Sequence, residues 1–357
     1  MMRAPGLLTL IAAAIAAVLV AVIISAGGGD ASTDPRIGRP VLTDLTKRLD
    51  QIARLTVIHG DAKTTMVRKN GAWLVEQKND YPADSGKMRR ILLALGALRY
   101  AEAKTANPTL YSRLDVEDPG KKGEDSQLVT LSDAKGQLMG EMIFGKRRYD
   151  MFGGGNDGIY VRKPGEAQSW LANGSLTLPN DTLDWVERPI TTIKADSIAA
   201  IRFIAPDHAV VAVARAKPGA PVTLVGGIPK GQKLKSADAL NDLARALDYF
   251  SLDDVAPAMS VPFPDKGISQ AIFTTNDGMT ITVAMVERDE IAKDSGKDVA
   301  KKKYWVKILA SGTGAAAMKE AAALNRRLVP WAFAVPDYKA NTFKTRIGDL
   351  LEPEKSS

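Results

Sequence analysis

The sequence predicts an α+β protein. An N-terminal transmembrane helix is followed by two tandem homologous units, each an antiparallel sheet (hairpin plus meander) packed with a helix. Three observations carry this expectation. Residues 7–26 form an uncharged apolar run; residues 52–75 and 198–225 share one alternation of apolar and polar side chains; and each alternating stretch leads into a helical stripe and a second set of alternating segments.

The apolar run, LLTLIAAAIAAVLVAVIISA, has neither a charge nor a strong helix breaker, over about the 20 residues that a bilayer core requires. Arg3 and the free amine precede it and the polar GGGDASTDP follows. The positive-inside rule then puts residues 1–6 in the cytoplasm and everything after the anchor outside. A cleaved signal peptide is the competing reading. Its apolar region spans about 7–15 residues, shorter than this run, although Ser25, Ala26 and Gly27 are small enough for cleavage. Residues 27–40 read as a flexible neck. Met2 stands where N-myristoylation needs glycine.

The first α+β unit is expected over residues 41–190. IARLTVIHGDAKTTMVRKNGAWLV (52–75) alternates, turns and alternates again, the pattern of a half-buried hairpin. Met88, Ile91, Leu92, Leu95 and Leu98 then recur at helical spacing. Residues 128–131 and 137–144 flank the turn signal SDAKG, and the strand GIYVRK follows. The second unit, 191–350, repeats the order. IAAIRFIAPDHAVVAVARAKPGAPVTLV (198–225) precedes Leu240, Leu243, Leu247 and Phe250 at helical spacing. Residues 271–275 and 279–286 flank TNDG, and YWVKIL echoes GIYVRK. TLDWVERP with Trp185 is set against RLVPWAFAVP with Trp331, about 146 positions on, as the hairpins are. The boundary falls at the proline-containing linker VERPITTIKADS, and residues 351–357 are a polar tail.

Composition narrows the function. At 357 residues, 45% hydrophobic and 25% charged, the chain has room for about two globular domains and is not a disordered polymer. The absence of cysteine excludes disulfides, thiolate nucleophiles and cysteine-bound zinc or iron–sulfur clusters. The net charge is +7, but the 48 basic residues are dispersed among 41 acidic ones with no basic block interleaved with aromatics. Nucleic acid is therefore not an expected partner.

Several motifs could carry chemistry. Asp84-Ser85-Gly86-Lys87 resembles part of a phosphate loop, but Met88 replaces the hydroxyl residue and the earlier glycine is missing. Asp84 is expected to cap the helix instead, and Ser236 to do so in the second unit. FGKRRYDMFGGGNDG, with Arg147, Arg148, Tyr149, Phe152, Gly153, Gly154 and Gly155, reads as a long hairpin loop able to contact a partner. The charged insertion ERDEIAKDSGKDVAKKK, with Lys301, Lys302 and Lys303, reads as its counterpart loop. The only histidines, His59 and His208, lie near hairpin turns without clustered carboxylates, so neither metal nor cofactor ligands are expected. No Gly-x-Ser-x-Gly elbow marks a serine nucleophile. Asp253 and Asp254 point to opposite faces of a strand and are expected as exposed acids. Trp73, Trp185 and Trp331 are expected to be packing residues.

VLTDLTKRLDQIARLTV, NGAWLV, YPADSGKMRRILLALGALRYAEAKTANP, YSRLDVEDP, GIYVRK, DTLDWVERPI and FKTRIGDLL, in that order from Val41 onward, resemble the family called domain of unknown function 4340. The resemblance implies a membrane-anchored protein facing the periplasm. It also implies association with ABC transport systems like the auxiliary components of gliding-motility transporters; it implies no reaction and no catalytic residues.

The expected function is thus a non-enzymatic accessory or scaffold subunit of an ABC-type transport system, held in the bacterial inner membrane by residues 7–26 with its C-terminal part in the periplasm. A permease or auxiliary membrane subunit is the expected partner. An envelope-binding module contacting lipid or cell wall without a transporter is the alternative, and a hydrolase the third.

Overall fold

The computed structural model describes residues 34–120, 123–236, 238–294 and 297–352, without the side chains of 291–299. The expected cytoplasmic segment and anchor, residues 27–33 of the neck and most of the polar tail lie outside the described residues. Among the described residues no helix is long and apolar enough to cross a membrane.

Strands β1 (Arg54–His59), β2 (Ala62–Lys69), β3 (Ala72–Val75) and β4 (Tyr81–Pro82) precede helix α1 (Ser85–Ala97). Then come β5 (Arg99–Ala103), β6 (Gln127–Ser132), β7 (Leu138–Arg148), β8 (Gly158–Arg162) and β9 (Ser169–Asn173). After β10 (Pro189–Thr191) follow β11 (Ile198–Ile204), β12 (Val210–Arg215), β13 (Val222–Leu224), α2 (Ala239–Ala244), β14 (Phe250–Ser251) and β15 (Asp254–Pro257). The chain continues through β16 (Ser269–Thr275), β17 (Met279–Asp294), β18 (Lys297–Gly312), α3 (Ala315–Leu328), β19 (Trp331–Val335), α4 (Asp337–Phe343) and α5 (Ile347–Leu350). The α+β class with antiparallel sheets is borne out.

The described chain divides into two compact units: residues up to Lys63 with Arg90–Leu178, and Thr64–Arg89 with the residues from Pro179 onward. In the first, the strands lie in the order β1-β6-β7-β8-β9-β5, each pair antiparallel. Its core is built from the alternate inward residues Leu55, Val57, Val129, Leu131, Met142 and Phe144, all buried. Each such side chain contributes about 1.5–3 kcal/mol relative to exposure. Residues 34–40, placed in the neck by sequence, are fastened to the edge of β5. Gly38 donates its N–H to the Tyr100 carbonyl at 2.7 Å, and Tyr100 donates to Arg39 at 3.0 Å.

In the second unit an eight-stranded antiparallel sheet runs β13-β12-β11-β16-β17-β18-β19-β15. Its core gathers Phe203, Phe273 and Phe343 edge-to-face, with centroids 6.2 and 6.3 Å apart. Segment 64–89 belongs here although it stands early in the chain. The Thr64 and Thr182 hydroxyls share a 2.7 Å hydrogen bond, and Tyr81 packs edge-on to Trp331 at 5.0 Å.

Several expectations change. Residues 52–75 and 198–225 each form three strands, because Asn70-Gly71 and the segment around Pro218 and Gly219 make second turns. The second helix is short: α2 ends at Ala244 and one 3-10 turn follows. Its N-cap is Asp238, without a side-chain hydrogen bond, so Ser236 does not cap it. Part of the linker pairs as β10 with β14. The charged insertion 287–303 is not a loop, since β17 and β18 remain paired through it. Trp331 opens β19, whereas Trp185 ends a 3-10 turn, so the two tryptophans set against each other by sequence stand in different kinds of element.

Candidate functional site

The first candidate contact region is the turn between β7 and β8, residues 149–157. Three successive glycines, Gly153, Gly154 and Gly155, hold φ of 72°, 62° and 81°, a left-handed run that side chains rarely adopt. The turn is internally tied. Arg147 donates to Asp157 Oδ2 at 2.7 Å and to Ser175 Oγ at 3.0 Å, and also bonds Thr177. Asp150 accepts from the Gly155 N–H at 2.8 Å while its own N–H donates to Asp157 Oδ1. Hydrogen bonds from the Arg147 side chain, and then from the Asp150 N–H, hold the Asp157 carboxyl below the usual carboxylate range. Arg147 is thus a brace within the turn. Tyr149, 74% exposed, and Phe152 are presented outward, with the Arg147 guanidinium 4.8 Å from the Tyr149 ring centroid. Arg148 pairs in register with Gly158 and is exposed.

Lys301, Lys302 and Lys303 lie in β18, opposite Glu290, Asp289 and Arg288 of β17. They line a groove of about 290 Å³ with Asp253, Glu290 and Asp337. Lys303 is the hub: its Nζ lies 2.9 Å from Asp254 Oδ2 and 3.1 Å from Glu290 Oε2. Trp305 donates its indole N–H to Glu290 Oε1 at 3.2 Å, and Lys303 sits 4.8 Å from the Trp305 ring. Lys302 pairs with Glu287. Burial pushes the Lys303 ammonium down, but hydrogen bonds to Asp254 and Glu290 outweigh it and leave the group above its ordinary value. Asp254 is not an exposed acid: burial raises its carboxyl, while Lys78 and Lys303 more than offset that and hold it low. Asp253 is exposed, as strand alternation requires.

Sequence reading missed Lys78, Asp254, Glu290 and Trp305. One signal was available. Written as a hairpin about the Ser295-Gly296 dipeptide, Asp289 and Glu290 fall opposite Lys302 and Lys301. Lys78 had no such signal, because its partner is 176 residues away.

Asp84 caps α1 as expected, accepting from the Lys87 N–H at 2.8 Å, and Lys87 Nζ bonds the Asp184 carbonyl. Trp185 is buried, and Trp73 and Trp331 are partly so. His59 ends β1, and His208 stands in the β11–β12 turn at φ 67°. Among the described residues no three His, Asp or Glu converge as metal ligands. The carboxyls of Asp254 and Glu287 are held low by paired ammonium groups, which makes these two weak bases.

The fold is an α+β arrangement of antiparallel sheets, and a fold of this class does not by itself define a function. The chain belongs to the family described as Domain of unknown function (DUF4340), whose model matches residues 73–272. No curated protein and no solved structure matches it.

Proposed function

We propose that this chain is a non-enzymatic accessory or scaffold subunit of an ABC-type transport system. In this reading residues 7–26 hold it in the inner membrane and its globular part binds protein in the periplasm. One observation carries the binding role: β17 and β18 run for 16 residues each, yet β16 pairs with β17 only up to Met285 and β19 with β18 only over 304–306. Residues 287–294 and 297–303 therefore form a two-stranded ribbon with no third strand among the described residues. Two strands alone are marginally stable in water, and this ribbon carries acids facing bases at its root. A partner strand or groove would complete it. The choice of a transporter as partner rests on the family resemblance, and the tether on the composition of residues 7–26.

We also infer that the two sheets are tandem homologous units. The order β1-β6-β7-β8-β9-β5 recurs as β11-β16-β17-β18-β19-β15, and the hairpin β2–β3 recurs as β12–β13. Helix α3 is then an insertion in the second copy.

The test is purification of the full chain from solubilised membranes. A permease or ATPase subunit should co-purify, and replacing residues 289–302 by Asn-Gly, which keeps Lys303, should abolish its recovery while a cooperative thermal unfolding transition is retained. Absence of any transport component with the intact chain sinks the transporter reading. Recovery of lipid or cell-wall material alone would favour the envelope-binding alternative.

A further inference from the structure

In the first unit, residues 36–48 and the start of β7 enclose a groove of about 480 Å³. Four cations line it: Arg36, Arg39, Arg48 and Lys163. Two are already committed. Arg36 bonds Asp34 at 3.1 Å and Glu166 at 3.3 Å, and Lys163 pairs with Glu166 at 3.1 Å. Arg39 is in no ion pair among the described residues, and Arg48, though it feels the Asp44 carboxylate electrostatically, has its Nε buried without a hydrogen-bond acceptor. A buried donor left unmet is costly, so an acceptor is wanted there. Among the lining carboxylates, Asp44 is paired with Lys47 and Glu166 with Arg36 and Lys163, while Glu141 accepts from Thr130. The lining thus holds four cations against three acids, a surplus of one positive charge.

We propose that this groove binds the phosphodiester of an anionic lipid headgroup. A guanidinium presents a planar fork of N–H donors that matches phosphate oxygens, and a single surplus charge suits a monoanionic diester. Val41, Leu42, Met139 and Met142 form apolar wall beside the guanidinium groups, which fits an amphiphile better than a free ion. The proposal rests on the membrane tether proposed above. Because Gly38 and Arg39 are fastened to β5 and Asp34 to Arg36, only residues 27–33 separate the fixed chain from the apolar run. That is a reach of at most about 25 Å at roughly 3.6 Å per residue, which keeps the groove near the headgroups.

The experiment titrates the full chain in neutral detergent with phosphatidylglycerol, read by native mass spectrometry. A one-to-one adduct is expected, weakened about tenfold or more in Arg39→Gln/Arg48→Gln, as loss of charge-assisted bonds requires. It should be unchanged in the charge-matched Lys217→Gln/Lys230→Gln. Thermal melts of both variants separate loss of binding from loss of fold, and Arg39→Lys serves as a milder probe if the double variant melts early. Equal loss in both double variants, or no adduct with the wild type, overturns the proposal. Binding of inorganic phosphate or glycerophosphoglycerol as tight as the lipid assigns the groove to a soluble phosphate instead and overturns the lipid source. Retention in membranes after alkaline carbonate extraction scores the tether separately, so failure of either is distinguishable from failure of the other.

Discussion

Lys78 Nζ lies 2.7 Å from Asp254 Oδ1, joining the connection after β3 to the first residue of β15. The other oxygen of the same carboxylate takes Lys303 at 2.9 Å. Both lysines and the aspartate have side chains between 21% and 28% exposed, so solvent screening is incomplete. Asp254→Asn should therefore destabilise the second unit by about 1–3 kcal/mol, measured by urea denaturation. A change inside error would show that the pairs merely decorate the surface.

The same residue sets a pH dependence. Its carboxyl is held below the ordinary 3.8: burial opposes the charge, and the Lys78 and Lys303 hydrogen bonds outweigh that. Its contribution is present above pH 3.8 and is lost as pH falls through the folded value, where the native state too takes up the proton. The stability gap between wild type and Asp254→Asn should be constant near neutrality and close in acid. A gap that widens in acid contradicts the pairing.

Lys339 acts with the same sign at the other end of the pH range. It is buried, donating to the carbonyls of Ala246 at 2.9 Å and Asp248 at 3.2 Å, at the end of the 3-10 turn after α2. Burial pulls its ammonium below the ordinary 10.5. Between the folded value and 10.5 the unfolded chain binds more protons, so stability rises with pH across that window. Wild type should gain on Lys339→Met between neutral pH and pH 10.5 in thermal melts; a flat difference would rule out burial of the charged form.

Gly145 and Gly312 should tolerate no side chain. A Cβ on Gly145 would overlap the carbonyl oxygens of Leu114 and Asp115, and one on Gly312 would overlap the Ala317 backbone of α3. Both neighbours are backbone, which cannot swing aside. Each Gly→Ala change should cost about 2–4 kcal/mol, read by melting, whereas Gly120→Ala, with open space around it, should be near neutral.

Asp84→Ala should lower stability by about 0.5–2 kcal/mol through loss of the cap, while Lys87→Met, which keeps the helix start, should cost less. Phosphate added to either should leave the melting temperature unmoved. A phosphate-induced rise would restore the phosphate-loop reading.

Much of the fold was legible because local chemistry specifies it. Alternation located β1, β6, β11 and β16, and the stripe Met88, Ile91, Leu92, Leu95, Leu98 located α1, all five being buried. Helix α3 is less legible because its buried face is made of Ala317 and Ala321 with Leu328 rather than a stripe of large apolar side chains. The candidate site was half legible. The ribbon lysines stood out by charge, but their strand conformation and their acidic partners did not.

The tetrapeptide Asp-Ser-Gly-Lys occurs twice, at 84–87 and at 294–297. The first starts a helix; the second spans the end of β17 and the start of β18. The sequence by itself determined where apolar stripes and turns fall, because burial periodicity and backbone preference act over a few residues. Tertiary structure alone decided that segment 64–89 packs with residues beyond Pro179, that Trp185 and Trp331 stand in different kinds of element, and that Asp254 is shared by two lysines. Those outcomes depend on strand pairing and charge neutralisation between residues far apart in the chain, and no local preference encodes them.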